Sequence, residues 1–208
     1  MKAAARAEVI ALGVEGVDAD RQAALEQGDA RALDAVLREL LPFVRGLIFR
    51  VLGPGPGLDD ATQDALIELS KALLRWQGRS SLRTYAGRIA VRVAYRHLRR
   101  RVRDREREQV HHDEALSAAS PSAGDPEASC IGRERLARLY HHLDQLPPKH
   151  RLAFVLCDVE GMTPTEAAAL VRSHPVTMRS HLARARRRLR ALLREDGSLG
   201  EMLRGGQR

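Results

Sequence analysis

From Arg21 to Arg101 the apolar residues recur three and four positions apart, the spacing of one buried helical face. Leu33, Val36, Leu37, Leu40 and Leu41 follow Asp29, whose carboxylate can cap the helix they predict. Pro42 is expected to kink or restart that helix, and Phe43, Leu47, Ile48 and Val51 carry the same face onward. Gly53-Pro54-Gly55-Pro56-Gly57 cannot be regular structure and marks a turn. Asp59 or Asp60 then caps a helix bearing Ala65, Leu66, Leu69 and Leu73, with acidic groups favourably placed in its first turn. After Trp76-Gln77-Gly78, Ser80 or Ser81 can cap a long helix running to about Arg103.

The pattern changes at Asp104. Residues 104–131 hold His111-His112, a Ser/Ala/Pro stretch, Gly124 and Pro126 with little periodicity, and read as a flexible linker. Periodicity returns near Gly132 with Leu136, Leu139, Tyr140, Leu143 and Leu146. Pro147-Pro148 ends that helix, and Pro148 suits the first position of the next, His150 to Val159, which Gly161 stops. The expected fold class is all-α: an N-terminal extension (1–20), a first helical domain (21–103), the linker (104–131), a second helical domain (132–195) and a tail (196–208).

Composition supports helices, since aromatic content is 3% and any core must be built from Leu, Ala and Val. The net charge of +8 changes the picture more, because it asks for a polyanionic partner, nucleic acid or an acidic membrane surface. No apolar run approaches the ~20 residues that span a bilayer. The start of the chain, with Lys2, Arg6 and Glu8, is too charged for a secretory signal, so a cytoplasmic location is expected. Cys130 and Cys157 lack metal-ligand spacing, and Cys157 in its apolar run reads as a small core residue. There is no phosphate-binding glycine loop and no nucleophile–base pair, and His111-His112 reads as a solvated tract. No metal, cofactor, small-molecule substrate or catalytic residue is expected.

Near the C-terminus, Thr163-Pro164-Thr165-Glu166 is a capping box with proline at the first helical position. A short helix with Ala167, Ala168, Leu170 and Val171 follows, then a tight break at Arg172-Ser173-His174. Pro175 opens a longer helix whose apolar side is Met178, Leu182, Ala185, Leu189 and Leu192. This is the grammar of a helix-turn-helix. Thr177, Arg179, Ser180 and His181 fall in the opening turns, where hydroxyl and guanidinium groups can meet base edges in the major groove. Arg184, Arg187 and Arg188 trail along the phosphates, and Arg172, Ser173 and His174 complete the candidate DNA-binding set. The plainer alternative is a solvated basic helix.

Two further patterns are less decisive. Arg88, Arg92, Arg96, Arg99 and Arg103 share one face of the long helix, as a second nucleic-acid contact or as a solubilising stripe. Asp59, Asp60, Asp64 and Glu68 form an acidic cluster that cannot touch phosphates; it compensates the helix dipole or meets a protein with a basic surface.

Leu41-Pro42-Phe43-Val44-Arg45, Leu58-Asp59-Asp60-Ala61-Thr62-Gln63-Asp64, Gly78 to Tyr85 and His97-Leu98-Arg99-Arg100 occur in this order. So do Leu146-Pro147-Pro148, Asp158 to Thr163, Glu166-Ala167-Ala168 and Thr177 to Arg186. As an ordered set they resemble the bacterial RNA polymerase sigma factors of the extracytoplasmic-function type, over most of Arg21 to Leu193. The resemblance implies sigma region 2 followed by region 4, acting with the polymerase core and promoter DNA. It implies that Asp60, Gln63 and Asp64, with Asp59 beside them, bind the polymerase. It further implies that Arg79, Ser80, Ser81 and Arg83, with Arg88, Arg92, Arg96, Arg99 and Arg100, act at the −10 element. The helix-turn-helix would read the −35 element, and an anti-sigma factor is an expected partner. The chain departs from the family's usual pattern at Leu66, Ser70, Arg92, Arg96 and Arg172, positions that bear on promoter sequence and base capture. The competing function is a free-standing helix-turn-helix regulator binding operators as a dimer; no sustained heptad seam supports it.

Overall fold

Asp29 begins the first long helix in the predicted way: its carboxylate accepts from the Arg31 N–H at 2.8 Å. The computed structural model describes residues 19–109 and 136–195. Its helices are α1 (Ala19–Glu26), α2 (Ala30–Leu52), α3 (Leu58–Leu73), α4 (Leu82–Gln109), α5 (136–144), α6 (Pro148–Phe154), α7 (Pro164–Leu170) and α8 (Pro175–Glu195). Among the described residues there is no strand.

α2 buries Val36, Leu40, Val44, Leu47, Ile48 and Val51, and this stripe fixes its orientation. It packs on α3 and α4, and Leu25 of α1 closes the bundle, fully buried. The second domain builds its centre from Leu152, Ala153 and Leu156 beside Ala167 and Ala168 of α7 and Met178 and Leu182 of α8. Burying each Leu or Met contributes about 1.5–3 kcal/mol, and the small alanines let the helices approach closely.

Several boundaries differ from the sequence expectation. Pro42 lies inside one continuous helix rather than restarting it. Asp59 and Asp60 do not cap α3; Gly57, with φ 88°, precedes Leu58, and both carboxylates fall in the first turn. Ser81 is the group at the start of α4, its Oγ accepting from the Thr84 N–H at 3.1 Å. α4 continues through Gln109, so residues 104–109, expected in the linker, are helical. The helix that Pro148 opens, as expected, becomes a wider π-helical turn over Val155–Val159, where Glu160 N–H reaches Val155 O at 2.9 Å. The expected linker beyond Gln109, with His111, His112 and Cys130, lies outside the described residues, as do the N-terminal extension to residue 18 and the tail.

The two domains also touch. Apolar residues from both join in one cluster, which includes Leu152, Leu156 and Met178 of the second, and α4 lies against α6 and α7. At the end of α2 the ring of Tyr140 sits edge-on to Phe49, centroids 5.8 Å apart.

Candidate nucleic-acid interface

α3 divides its polar residues between two directions. Asp60 and Gln63 are exposed and lie on the helix face that also carries exposed Ile67 and Leu74. Asp59, also exposed, pairs with Arg45 of α2. Asp64 is turned toward α4, 2.8 Å from Nε2 of His97 and 3.5 Å from Arg96. The His97 hydrogen bond, with the nearby Arg96 charge, holds the Asp64 carboxyl below its ordinary range despite some burial. Glu68 accepts from Arg92 and from Arg96, each at 2.6 Å. Burial pushes the Glu68 carboxyl up, but the two arginines together outweigh it and the net direction is down.

Two arginines of the basic stripe are therefore tied to the acidic helix, while Arg88, Arg99, Arg100 and Arg103 stand exposed. Arg99 leans over the Tyr95 ring at 5.9 Å, and Arg100 has Asp104 3.7 Å away. Periodicity put the five stripe arginines on one face; it could not show that α3 would supply carboxylates to that face.

The segment before α4 is anchored by Trp76, which is buried and donates its indole N–H to Ser80 O at 3.2 Å. Gly78 has φ 67°, and a Cβ there would come within 2.6 Å of the Gln22 side chain, so α1 buttresses the loop. Arg79 is exposed, and Ser80 and Ser81 are half-buried. Arg83 is half-buried, and its guanidinium lies over the Phe43 ring, 4.6 Å from the centroid, with Nε enclosed. Its first partner is the α2 surface.

The helix-turn-helix forms as the capping box demands. Thr163 Oγ1 accepts from Glu166 N–H at 3.2 Å, and the Glu166 carboxylate accepts from Thr163 N–H at 2.7 Å. Arg172 takes φ 53°, the left-handed turn that lets Ser173 N–H reach Ala168 O at 2.8 Å. His174 Nδ1 then accepts from Val176 N–H at 3.3 Å. Met178, Leu182, Ala185 and Leu189 face inward, leaving Thr177, Arg179, Arg184, Arg187 and Arg188 exposed, with Arg172, Ser173 and His174 exposed in the turn. Ser180 and His181 are half-buried at the rim.

His181 stacks obliquely on His150, centroids 5.3 Å apart. Burial and the Arg184 charge lower the His150 pKa, and burial with His150, Lys149 and Arg184 nearby lowers that of His181. Arg186 is not part of the basic face, because it grips both Asp158 oxygens at 2.9 and 2.6 Å.

Sequence reasoning missed the residues that join the domains: Arg50, Tyr140, Asp144, Arg151 and Glu160. One signal was available. Arg151 interrupts the apolar side of α6 directly before Leu152, Ala153 and Phe154, and it is 0% exposed.

Comparison with known proteins agrees with this geometry. Residues 36–104 match the family model for Sigma-70 region 2, and residues 136–189 match that for Sigma-70, region 4. The RNA polymerase sigma-H factor of Pseudomonas aeruginosa is 30% identical over 179 residues, covering 82% of this chain and 93% of the relative. The ECF RNA polymerase sigma-E factor of Escherichia coli is 28% identical over 166 residues, covering 78% and 86%. Among solved structures, CnrH in complex with the cytosolic domain of CnrY aligns with a TM-score of 0.56 at 23% identity, covering 86% of this chain and 100% of CnrH. The Bartonella quintana sigma factor RpoE, in complex with the anti-sigma factor NepR, aligns at 0.55 and 23%, covering 76% and 94%. With both regions matched in order and a relative spanned over nearly its whole length, the chain belongs to the sigma-70 family of RNA polymerase sigma factors, in its extracytoplasmic-function branch.

Proposed function

We propose a division of labour in which Asp60 and Gln63, flanked by Asp59 and Asp64, bind the polymerase core. In this reading the loop from Trp76 to Thr84, with Arg79, Ser80, Ser81 and the exposed arginines of α4, works at the −10 element. The first turns of α8 read the −35 element. As a sigma factor the chain directs promoter-specific initiation and acts as an initiation factor rather than an enzyme. The observation that carries the assignment is the segregation of charge. Exposed Asp59 and Asp60 open α3, while exposed arginines line α4 and α8, so one chain can hold a basic protein surface and a polyanion at once.

An inhibitory partner is part of the reading. It is supported by relatives of the same fold that were solved with CnrY and with the anti-sigma factor NepR, and by exposed Ile67 and Leu74 beside Asp60 and Gln63. The site of action is the cytoplasm, where polymerase and promoter meet; no described helix is long and apolar enough to cross a membrane.

The test is capture of core polymerase by wild type and by an Asp60→Ala/Gln63→Ala variant, followed by run-off transcription from a cognate promoter. The variant should lose capture at least tenfold and lose run-off product in step. Undiminished capture would remove α3 from the polymerase interface.

A further inference from the structure

Arg92 and Arg96 stand about one helical turn apart on α4, so their guanidinium groups can reach the same point beside the helix. The carboxylate of Glu68 occupies that point, and its two oxygens are divided between the two arginines. Arg92 Nη2 donates to Oε2 and Arg96 Nη1 to Oε1, each at 2.6 Å. Asp64, one turn earlier on α3, lies 3.5 Å from Nη2 of Arg96 and 2.8 Å from Nε2 of His97. The match comes from equal spacing on the two helices, since Asp64 and Glu68 are as far apart in sequence as Arg92 and Arg96.

This is also the geometry of a phosphate site. Two guanidinium groups that each give an N–H to a separate oxygen suit the two non-bridging oxygens of a phosphodiester as well as a carboxylate. A carboxylate in that place carries the same single charge as a backbone phosphate. The arginine side chains are 64% and 51% exposed, whereas Glu68 is more enclosed at 28%. A phosphate arriving from solvent therefore meets the guanidinium groups without disturbing the apolar packing. Glu68 stays where it is, because Ala65 and Leu69 beside it on α3 are buried in the bundle.

Magnitudes decide how such a site behaves. Ion pairs this exposed are each worth up to about fivefold in equilibrium. A phosphate fixed in place by contacts elsewhere displaces Glu68, whereas one that only passes along the surface competes on equal terms.

We propose that Arg92 and Arg96 form a site for one DNA backbone phosphate, that Glu68 is its built-in competitor, and that Glu68 thereby raises the selectivity of the factor for promoter over other DNA. The inference rests on the reading that α4 works at the −10 element, and adds to it a residue of opposite charge. At a promoter, contacts elsewhere hold the duplex in register and the phosphate takes both arginines. On other DNA nothing fixes the register, and Glu68 keeps them. Selectivity is a difference of two affinities, and a group that weakens the wrong complex more than the right one widens it.

The experiment measures holoenzyme affinity for a cognate promoter fragment and for a duplex of equal length without one, across a range of salt. Glu68→Gln, which keeps the shape of the side chain and removes its charge, should tighten binding to the plain duplex about three- to tenfold. On that duplex the dependence of log affinity on log salt should steepen by about 0.9 to 1.8, the share of one or two phosphate contacts. Promoter affinity should rise by less, so the ratio of the two falls. Asp34→Asn removes the same charge from an exposed pair on α2, where Arg38 is 2.9 Å away, and reports what net charge alone does. In an Arg92→Ala/Arg96→Ala background, Glu68→Gln should do no more than Asp34→Asn, because the groups it would release are gone. An equal rise in both backgrounds, or an effect of Glu68→Gln no larger than that of Asp34→Asn, overturns the proposal. Absence of promoter-dependent run-off from wild type would instead strike the sigma-factor reading, and the same cycle run with the free chain on plain duplex would still decide for or against Glu68.

Discussion

Arg172 is the described non-glycine residue with positive φ, at 53°, and it sits in the turn on which the helix-turn-helix depends. Its Cβ is crowded in the left-handed region, which costs about 1–2 kcal/mol for a residue that is not glycine. Glycine relieves that strain but gives the unfolded chain more freedom, an offset of about 0.5–1 kcal/mol. Arg172→Gly should therefore stabilise the protein by about 0.5–1 kcal/mol. Arg172→Ala, which keeps a Cβ, should leave stability nearly unchanged. Urea or thermal unfolding of the full chain, followed by far-ultraviolet circular dichroism, reads the difference; for a chain of this size it corresponds to roughly 1–4 °C in Tm. Arg172 is exposed, so removing its charge has a separate effect, and affinity of the holoenzyme for a promoter should fall equally in the Gly and Ala variants. If Arg172→Gly is no more stable than Arg172→Ala, the turn stores no strain and the argument from its dihedral angle fails.

Other outcomes follow from the same geometry. Arg187→Ala in the holoenzyme should flatten the dependence of log affinity on log salt by about 0.9, the share of one phosphate contact, whereas Thr177→Ala should reorder preferred −35 sequences at constant slope. An unchanged slope would take Arg187 off the DNA backbone. Burial raises the Asp144 carboxyl, but Arg151 and Arg105 outweigh it, so its folded pKa lies below the usual 3.8. The folded state binds fewer protons, so this contribution is present above about pH 4 and is lost as pH falls through the folded value. Thermal unfolding followed by far-ultraviolet circular dichroism should give a constant Tm from pH 7 to about 5 and a lower one in more acid solution, and Asp144→Asn should flatten that step.

The helices were legible because each one in the reading domains carries its own local signal. Asp29, the Thr163/Glu166 box and Pro148 mark starts, Gly161 marks a stop, and the three-and-four spacing of Leu, Val and Ala marks the buried side. The helix-turn-helix was legible for the same reason, since its turn, cap and basic face lie within 32 residues. What the sequence hid is contact between distant segments. Nothing near Arg83 announces Phe43, forty residues earlier, as its partner, and nothing near Arg92 or Arg96 announces Glu68. Period fixes the face on which a residue stands; it does not say which neighbour occupies the space opposite. The extension of α4 to Gln109 was missed because Arg103 to Gln109 is polar throughout, so a helix there has no apolar stripe to reveal it.

The hidden contacts bear on how a basic protein avoids gripping any polyanion it meets. Arg92 and Arg96 are held by Glu68 and Asp64, Arg105 and Arg151 by Asp144, Arg186 by Asp158 and Arg50 by Glu160. The first of these pairs are half-exposed, where an ion pair is worth about 0–1 kcal/mol, so phosphates can take Arg92 and Arg96 from Glu68 at little cost. Arg151 differs, since it is wholly buried and cannot be exchanged without separating the two domains. If the stripe meets DNA as proposed, its arginines would act as adjustable contacts, available once a phosphate competes with α3. The Arg151 pair is closed to such exchange while the second domain rests on α2. In that reading the factor would meet DNA with part of its charge withheld and release it on surfaces that offer a better anion.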